Sequence, residues 1–331
     1  MWYNFIGDMM KVTILGSGAY GCALATILND NKHDVTLWTA FEKEASSLRE
    51  TLESPKLPGI KLPKGLTFTS DMKKIKDSDL IIIAIPTEFL NETAQKLKKY
   101  YSGEPICIAT KGIEQGSCRF VYDIIKENLN AEKLAVISGP SFAIDIANKA
   151  PVGLALASQD KDTIEIITKA LSNKRFKLRK TNDIIGVEIC GAIKNVIAIA
   201  AGIIAGMNVT ESTKALFITE SIHDIKSLIK GLGSDGDTVL TYAGFGDLLL
   251  TCTSEKSRNY SLGFLIGKGA SKEEIDEYIK ENTVEGLYTL KAINDLVSDK
   301  DVEMPIINLI EEIIYKGKKP IELINFLIEK P

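Results

Sequence analysis

Histidine is scarce in this chain and cysteine is scattered, and both facts narrow its chemistry. Only His33 and His223 occur in 331 residues, too few for a histidine-based metal centre. The five cysteines, Cys22, Cys107, Cys118, Cys190 and Cys252, are odd in number, widely spaced and without a CxxC pair. That pattern fits reduced thiols in a cytoplasmic protein and argues against a disulfide framework or a zinc site, so no metal is expected. No lysine or arginine block stands out and the net charge is −4. General attraction to nucleic acid is therefore not expected, and phosphate recognition should be local. Repeats, low-complexity tracts and charged tails are also missing. The opening MWYNFIGDMM lacks the basic flank and long apolar run of a secretory signal. It reads as a short extension ahead of Met9 or Met10.

What is present is a composition of 45% hydrophobic and 25% charged residues in a length that suits two domains. The first half alternates short apolar runs with helical segments. Lys11–Leu15 is a β-branched strand followed at once by Gly16-Ser17-Gly18-Ala19-Tyr20-Gly21 and a helical run over 22–31. Strand, glycine turn and helix in that order form a dinucleotide fingerprint. Gly16 allows the turn, Gly18 lets backbone approach a pyrophosphate, and Gly21 packs helix on strand. A second strand, Asp34–Trp38, ends in Thr39 and Ala40, where an NAD-type fold carries an acidic residue for the ribose 2′-hydroxyl. The sequence therefore leaves NAD or NADP open, with Lys43 and Arg49 as cations that could favour the latter.

Continuous apolar runs at 79–85, 105–110, Leu134–Ser138 and 152–158 read as strands covered on both faces. Helices are expected over 87–101 and Lys161–Leu171, and a last strand at 176–178. Residues 54–65, rich in proline and glycine, read as a loop. Lys111 follows a strand at the sheet edge where ligands bind, and Gly139-Pro140-Ser141-Phe142-Ala143 can aim N–H groups and a hydroxyl at an anion. After residue 182 little reads as strand. The expected architecture is α/β, with a doubly wound Rossmann-type domain over 1–181 and an all-helical domain over 182–331.

The helical half opens on residues 182–207, apolar on nearly every side yet carrying Glu188, Lys194 and Asn195. Its length approaches a membrane span, but each mid-segment charge costs roughly 2.5–3.5 kcal/mol on insertion scales, so a buried core helix is the better reading. Its glycines, among them Gly202 and Gly206, should let other chain approach closely. A buried ammonium needs a carboxylate partner or a lowered pKa. Glu188 is poorly placed on the helix to pair with Lys194. Asp247, in the apolar, glycine-flanked stretch 243–253, is the obvious candidate, because a carboxylate there needs a partner too. Ser257-Arg258-Asn259 offers a guanidinium between two hydrogen-bonding side chains, suited to phosphate or carboxylate.

The motifs KVTILGSGAYGCALA, ATKGIE, AVISGPSFA, GVEICGAIKNVIAIAAG, AGFGDLLLTCTSEKSRNYSLG, VEG and VEMPI, in that order, make nearly the whole chain resemble bacterial NAD(P)-dependent glycerol-3-phosphate dehydrogenase. The resemblance implies reversible hydride transfer between NAD(P)H and dihydroxyacetone phosphate, giving sn-glycerol 3-phosphate for glycerophospholipid synthesis. It implies that Lys194 moves the hydroxyl proton, with Asp247, Asn195 and Thr251 around the reacting group. Lys111, Gly139 and Ser141 then match substrate contacts, as do Ser257, Arg258 and Asn259. Ala19, Tyr20, Ala143 and Glu285 match cofactor contacts beside Gly16, Gly18 and Gly21, and Lys111 and Arg258 serve both ligands. Position 19, often serine in the family, is alanine here. A homodimer acting on small molecules, without nucleic-acid or membrane partners, is expected. The alternatives are a hydroxyacid or 6-phosphogluconate-type dehydrogenase, against which the SRN and GDLLLT motifs count, and a non-catalytic dinucleotide sensor.

Overall fold

The computed structural model describes residues 9–329, so the extension ahead of Met9 lies outside the described residues. The chain divides into two compact units. One comprises the chain up to Lys111 together with Phe120–Ile184, the other Gly112–Arg119 and everything from Ile185. The linear boundary expected at residue 181 is thus interrupted by a short excursion, whose Ile113 is buried.

In the first unit, β1 (Lys11–Leu15), α1 (Ala19–Asp30), β2 (Asp34–Trp38), α2 (Glu42–Thr51), β3 (Thr67–Thr69), β4 (Leu80–Ile83) and α3 (Leu90–Leu97) precede β5 (Ile106–Ile108). Then come α4 (Val121–Leu129), β6 (Leu134–Ser138), α5 (Ala143–Ala147), β7 (Val152–Ala157), α6 (Lys161–Leu171) and β8 (Phe176–Thr181). Among the described residues the strands form one sheet in the order β3-β2-β1-β4-β5-β6-β7-β8. Every residue of β4, β5 and β6 is buried, as strands covered by helices on both faces require. Strand order reverses between β1 and β4, the switch point at which open α/β sheets take their ligands.

All pairings are parallel except β6 with β7. A parallel return needs a crossover of roughly a dozen residues or more, usually built on a full helix. The connection here, residues 139–151, is long enough but carries only the five-residue α5 in place of a full crossover helix. The longer α6 then returns β8 parallel to β7. Two further details depart from expectation. The first helix starts inside the glycine motif, at Ala19, and the segment expected as a helix over 87–101 begins with a 3-10 turn at Thr87–Phe89.

From Ile185 onward the described residues form helices and connecting loops without a strand: α7 (Ile184–Gly206), α8 (Glu211–Gly231), α9 (Asp247–Cys252), α10 (Arg258–Gly267), α11 (Lys272–Glu281), α12 (Glu285–Leu296), α13 (Pro305–Lys316) and α14 (Glu322–Glu329). Among the described residues α7 alone would pass as a membrane span by length and composition, but 89% of its most apolar stretch is buried. Its glycines do make close contacts. A Cβ on Gly202 would lie 2.0 Å from the Tyr260 carbonyl oxygen, and one on Gly206 2.4 Å from that of Phe264. The relation is reciprocal, since Gly263 and Gly267 of α10 face the Ile199 and Ile203 oxygens at 1.8 and 2.0 Å. Glycines four apart on each helix lie one above the other, so the two backbones touch along a turn of helix.

A second tie links α8 to α13. The buried Asp224 carboxylate accepts the backbone N–H groups of Ile306 and Ile307 at 2.7 and 3.0 Å. Pro305 occupies the first turn, where a missing N–H costs nothing. Hydrogen bonds to a charged group contribute roughly 1.5–3 kcal/mol each, and the helix dipole adds to them, so the start of α13 stabilises this buried carboxylate.

Candidate active site

The first unit brings its expected site residues together at the switch point. Gly16 adopts φ +117°, and a Cβ there would lie 2.4 Å from the Ala84 oxygen. Gly21 is needed for packing, because its Cβ would lie 1.9 Å from the Gly16 oxygen. Gly18 is different: nothing stands within 4 Å of where its side chain would be. It begins α1 without a side-chain cap. An open glycine at an uncapped helix start leaves room and N–H donors for a pyrophosphate, so these residues fit a dinucleotide. Ala19 lacks the hydroxyl that serine would supply, but it keeps its backbone donor.

The carboxyl ends of β5 and β6 supply the next group. The Thr87 hydroxyl donates to the Lys111 carbonyl at 2.9 Å and fixes that backbone. The Lys111 ammonium reaches the Gly139 oxygen at 3.5 Å, which the Ser141 hydroxyl also approaches at 3.2 Å. The Ser141 hydroxyl lies 3.0 Å from the Tyr20 hydroxyl. Ala143 follows as the first residue of α5, again without a side-chain cap.

The second unit builds a different cluster on α7. The Lys194 ammonium donates to Asp247 Oδ1 at 2.6 Å and to Thr251 Oγ1 at 3.2 Å. The two charged side chains are 12% and 2% exposed. Thr251 can accept from Lys194 because its own proton goes to the Asp247 carbonyl at 2.6 Å. The carboxylate is positioned by an unusual run of backbone, a single π-helical turn at Tyr242–Gly246 leading directly into α9. Such turns bulge a helix to re-aim one side chain. Gly244 makes the turn possible, since a Cβ there would lie 2.1 Å from the Val239 oxygen.

Asn195 points elsewhere. Its amide nitrogen donates to Glu285 Oε2 at 3.0 Å, and its oxygen accepts from Asn259 at 3.1 Å. Asn259 in turn accepts the Gly286 N–H at 2.8 Å. Gly286 is pressed against α7, with a Cβ position 2.5 Å from the Asn195 backbone carbonyl oxygen. Both polar side-chain atoms of the buried Asn195 and Asn259 have partners, as burial requires. Of the Ser257-Arg258-Asn259 triplet, Ser257 caps α10 by accepting the Tyr260 N–H at 3.3 Å, Asn259 joins the buried network, and Arg258 is exposed. The guanidinium is thus the member of the triplet presented to solvent.

One residue escaped the sequence reading. The Glu44 carboxylate accepts the Thr39 hydroxyl at 2.5 Å and the Lys56 ammonium at 2.8 Å, which places an acid at the end of β2 after all. It comes from the first turn of α2 instead of the strand terminus. Burial opposes its ionisation, but hydrogen bonds from Lys56, Thr39 and Ser17 prevail and hold its carboxyl below the usual range. The available signal was a glutamate in the first turn of a helix that folds back over the strand end it follows. Arg49, considered for NADP, is engaged with the Phe68 carbonyl and the Glu42 carboxylate.

Two family models match the chain. The one described as NAD-dependent glycerol-3-phosphate dehydrogenase N-terminus covers residues 11–164, and the C-terminus model covers residues 183–325. A glycerol-3-phosphate dehydrogenase of the NAD(P)+ type from Agathobacter rectalis is 35% identical over 323 residues, 97% of this chain and 96% of its own. One from Leptospira biflexa is 36% identical over 327 residues, 97% of this chain and 98% of its own. The crystal structure of glycerol-3-phosphate dehydrogenase from Coxiella burnetii superposes with a TM-score of 0.90 at 30% identity, covering 97% of this chain and 99% of that one.

Proposed function

Because the chain belongs to the NAD(P)-dependent glycerol-3-phosphate dehydrogenase family, we propose that Lys194 is the proton-transfer group of its reaction. The enzyme reduces dihydroxyacetone phosphate to sn-glycerol 3-phosphate reversibly, and the product supplies glycerophospholipid synthesis. Bound NAD(P) supplies the hydride donor or acceptor. The observation that carries the assignment of Lys194 is its ammonium, largely enclosed and held by Asp247 and Thr251 at 2.6 and 3.2 Å.

As a ketone is reduced, negative charge builds on its oxygen, and a protein cation must stabilise it and hand over a proton. Lys194 carries both the charge and the proton. Asp247 and Thr251 restrict the amine to one position, which effective catalysis by proximity demands. In oxidation the same amine receives the proton. Asn195, Asn259 and Glu285 keep α7 fixed one residue further along. Lys111 and Ser141 of the first unit and Arg258 of the second each offer donors suited to a phosphate, and Gly16, Gly18, Ala19, Tyr20, Gly21 and Ala143 would hold the dinucleotide. The same reading has the enzyme acting in the cytoplasm as a homodimer on free small molecules, without nucleic-acid or membrane partners. Its net charge of −4 supports that view.

The test is Lys194→Ala, assayed for dihydroxyacetone phosphate reduction with NADH and NADPH in parallel. We expect kcat to fall by about 10²–10⁴, with dinucleotide binding retained. A variant with normal turnover would refute the role.

A further inference from the structure

We infer that this enzyme selects NAD(H) over NADP(H), and that Glu44 is the residue that excludes the adenosine 2′-phosphate. The inference rests on the dehydrogenase reading above and deepens it. In doubly wound folds the second strand ends beside the adenosine ribose. A carboxylate there accepts the 2′-hydroxyl proton and repels a 2′-phosphate, whereas a free arginine attracts one.

β2 ends at Trp38, and the Gly16 N–H donates to the Trp38 carbonyl at 2.9 Å, so the glycine turn and the strand end are locked side by side. Beyond the strand stand Thr39, which is buried, and Ala40, which is exposed and carries no charge. Glu44 reaches back over them. Its Oε2 accepts from Thr39 and its Oε1 from Lys56, and the side chain keeps 21% of its surface exposed. A carboxylate has about four acceptor sites, so these bonds leave capacity for a ribose hydroxyl.

The nearby cations are committed to carboxylates. Lys56 is paired with Glu44 and Arg49 with Glu42, and Arg49 also donates to the Phe68 carbonyl at 2.9 Å. A 2′-phosphate arriving here would have to displace a carboxylate from its cation and sit against Glu44. Lys43, next to Glu44 in sequence and exposed, is the remaining cation of the turn. It competes with two carboxylates on the same helix, Glu42 and Glu44. Like-charge contact of this kind costs enough, even when well screened, to change affinity by about tenfold or more.

The experiment is equilibrium binding of NADH and NADPH, read by nicotinamide fluorescence, to the wild-type enzyme and to Glu44→Gln. The variant keeps an oxygen for Thr39 but loses the charge and the oxygen that accepts from Lys56, and both losses favour a 2′-phosphate. Expected is NADH binding tighter by about tenfold or more in the wild type, with Glu44→Gln narrowing the ratio mainly through tighter NADPH binding. Equal binding of the two dinucleotides by the wild type, or preference for NADPH, would overturn the inference without any variant. A variant that loses both to the same degree would also overturn it, by showing that Glu44 only supports the fold. Failure of the wild type to bind either would sink the dehydrogenase reading as well.

Discussion

Lys194 was legible in the sequence because a charge inside an almost wholly apolar helix has to be accounted for, and Asp247 was legible as the matching anomaly. Glu44 was not. It lies in an ordinary amphipathic helix, and its role depends on α2 folding back so that residues 39 and 44 meet. The network of Asn195, Asn259 and Glu285 was equally hidden, since Asn195 lies 64 and 90 positions from its two partners. His33 shows a further consequence at this scale. Its Nδ1 accepts the Met10 N–H at 3.2 Å, and burial lowers its pKa. The folded ring is therefore neutral where an unfolded one, with a pKa near about 6.5, begins to bind a proton. Because the unfolded chain takes up more protons in that window, stability is full above it and falls as pH drops through it. Urea midpoints at pH 7.5 and 5.5 should show a loss on acidification that His33→Gln reduces. Carboxylates such as Glu44, with lowered pKa values, keep their contribution through this window and lose it only at more acidic pH, where they are protonated.

Among elements, the long apolar runs were read correctly as strands because burial on both faces leaves little ambiguity. β3 was missed, being three residues long and at the sheet edge. The antiparallel turn of β7 was also invisible, as the preceding connection is long enough for a crossover but carries only the short α5. The pairing of α7 with α10 was half legible. The glycines of α7 asked for a close neighbour, but only the structure shows which helix answers. Replacing Gly263 by alanine would drive a methyl group to within 1.8 Å of the Ile199 oxygen. Overpacking of this sort costs typically about 1–3 kcal/mol. The expected result is a lower urea midpoint together with reduced turnover, since α10 also carries Asn259. A variant with unchanged midpoint would show that the helices separate at little cost.

For the whole molecule, the two tryptophans, Trp2 and Trp38, both lie in the N-terminal part of the chain. Trp38 is buried at the end of β2, its indole N–H bonded to the Ser70 carbonyl at 3.0 Å. Emission from Trp38 therefore reports the dinucleotide-binding unit. NAD+ at about a hundred times its Kd should stabilise that unit by about 2.7 kcal/mol and raise its melting transition by roughly 5–10 °C. An unshifted transition would show that the glycine turn holds no dinucleotide. The excursion at Gly112–Arg119 has its own corollary for how the protein is made. During synthesis the ribosome releases this segment long before α7 exists, so it must wait for its permanent partners. It is equipped to wait, for Arg119 grips the Glu114 carboxylate through two nitrogens at 2.7 and 2.9 Å and closes the loop on itself. No single cut can excise either unit cleanly, and a fragment ending at Ile184 would carry a closed loop belonging to a body that was never translated.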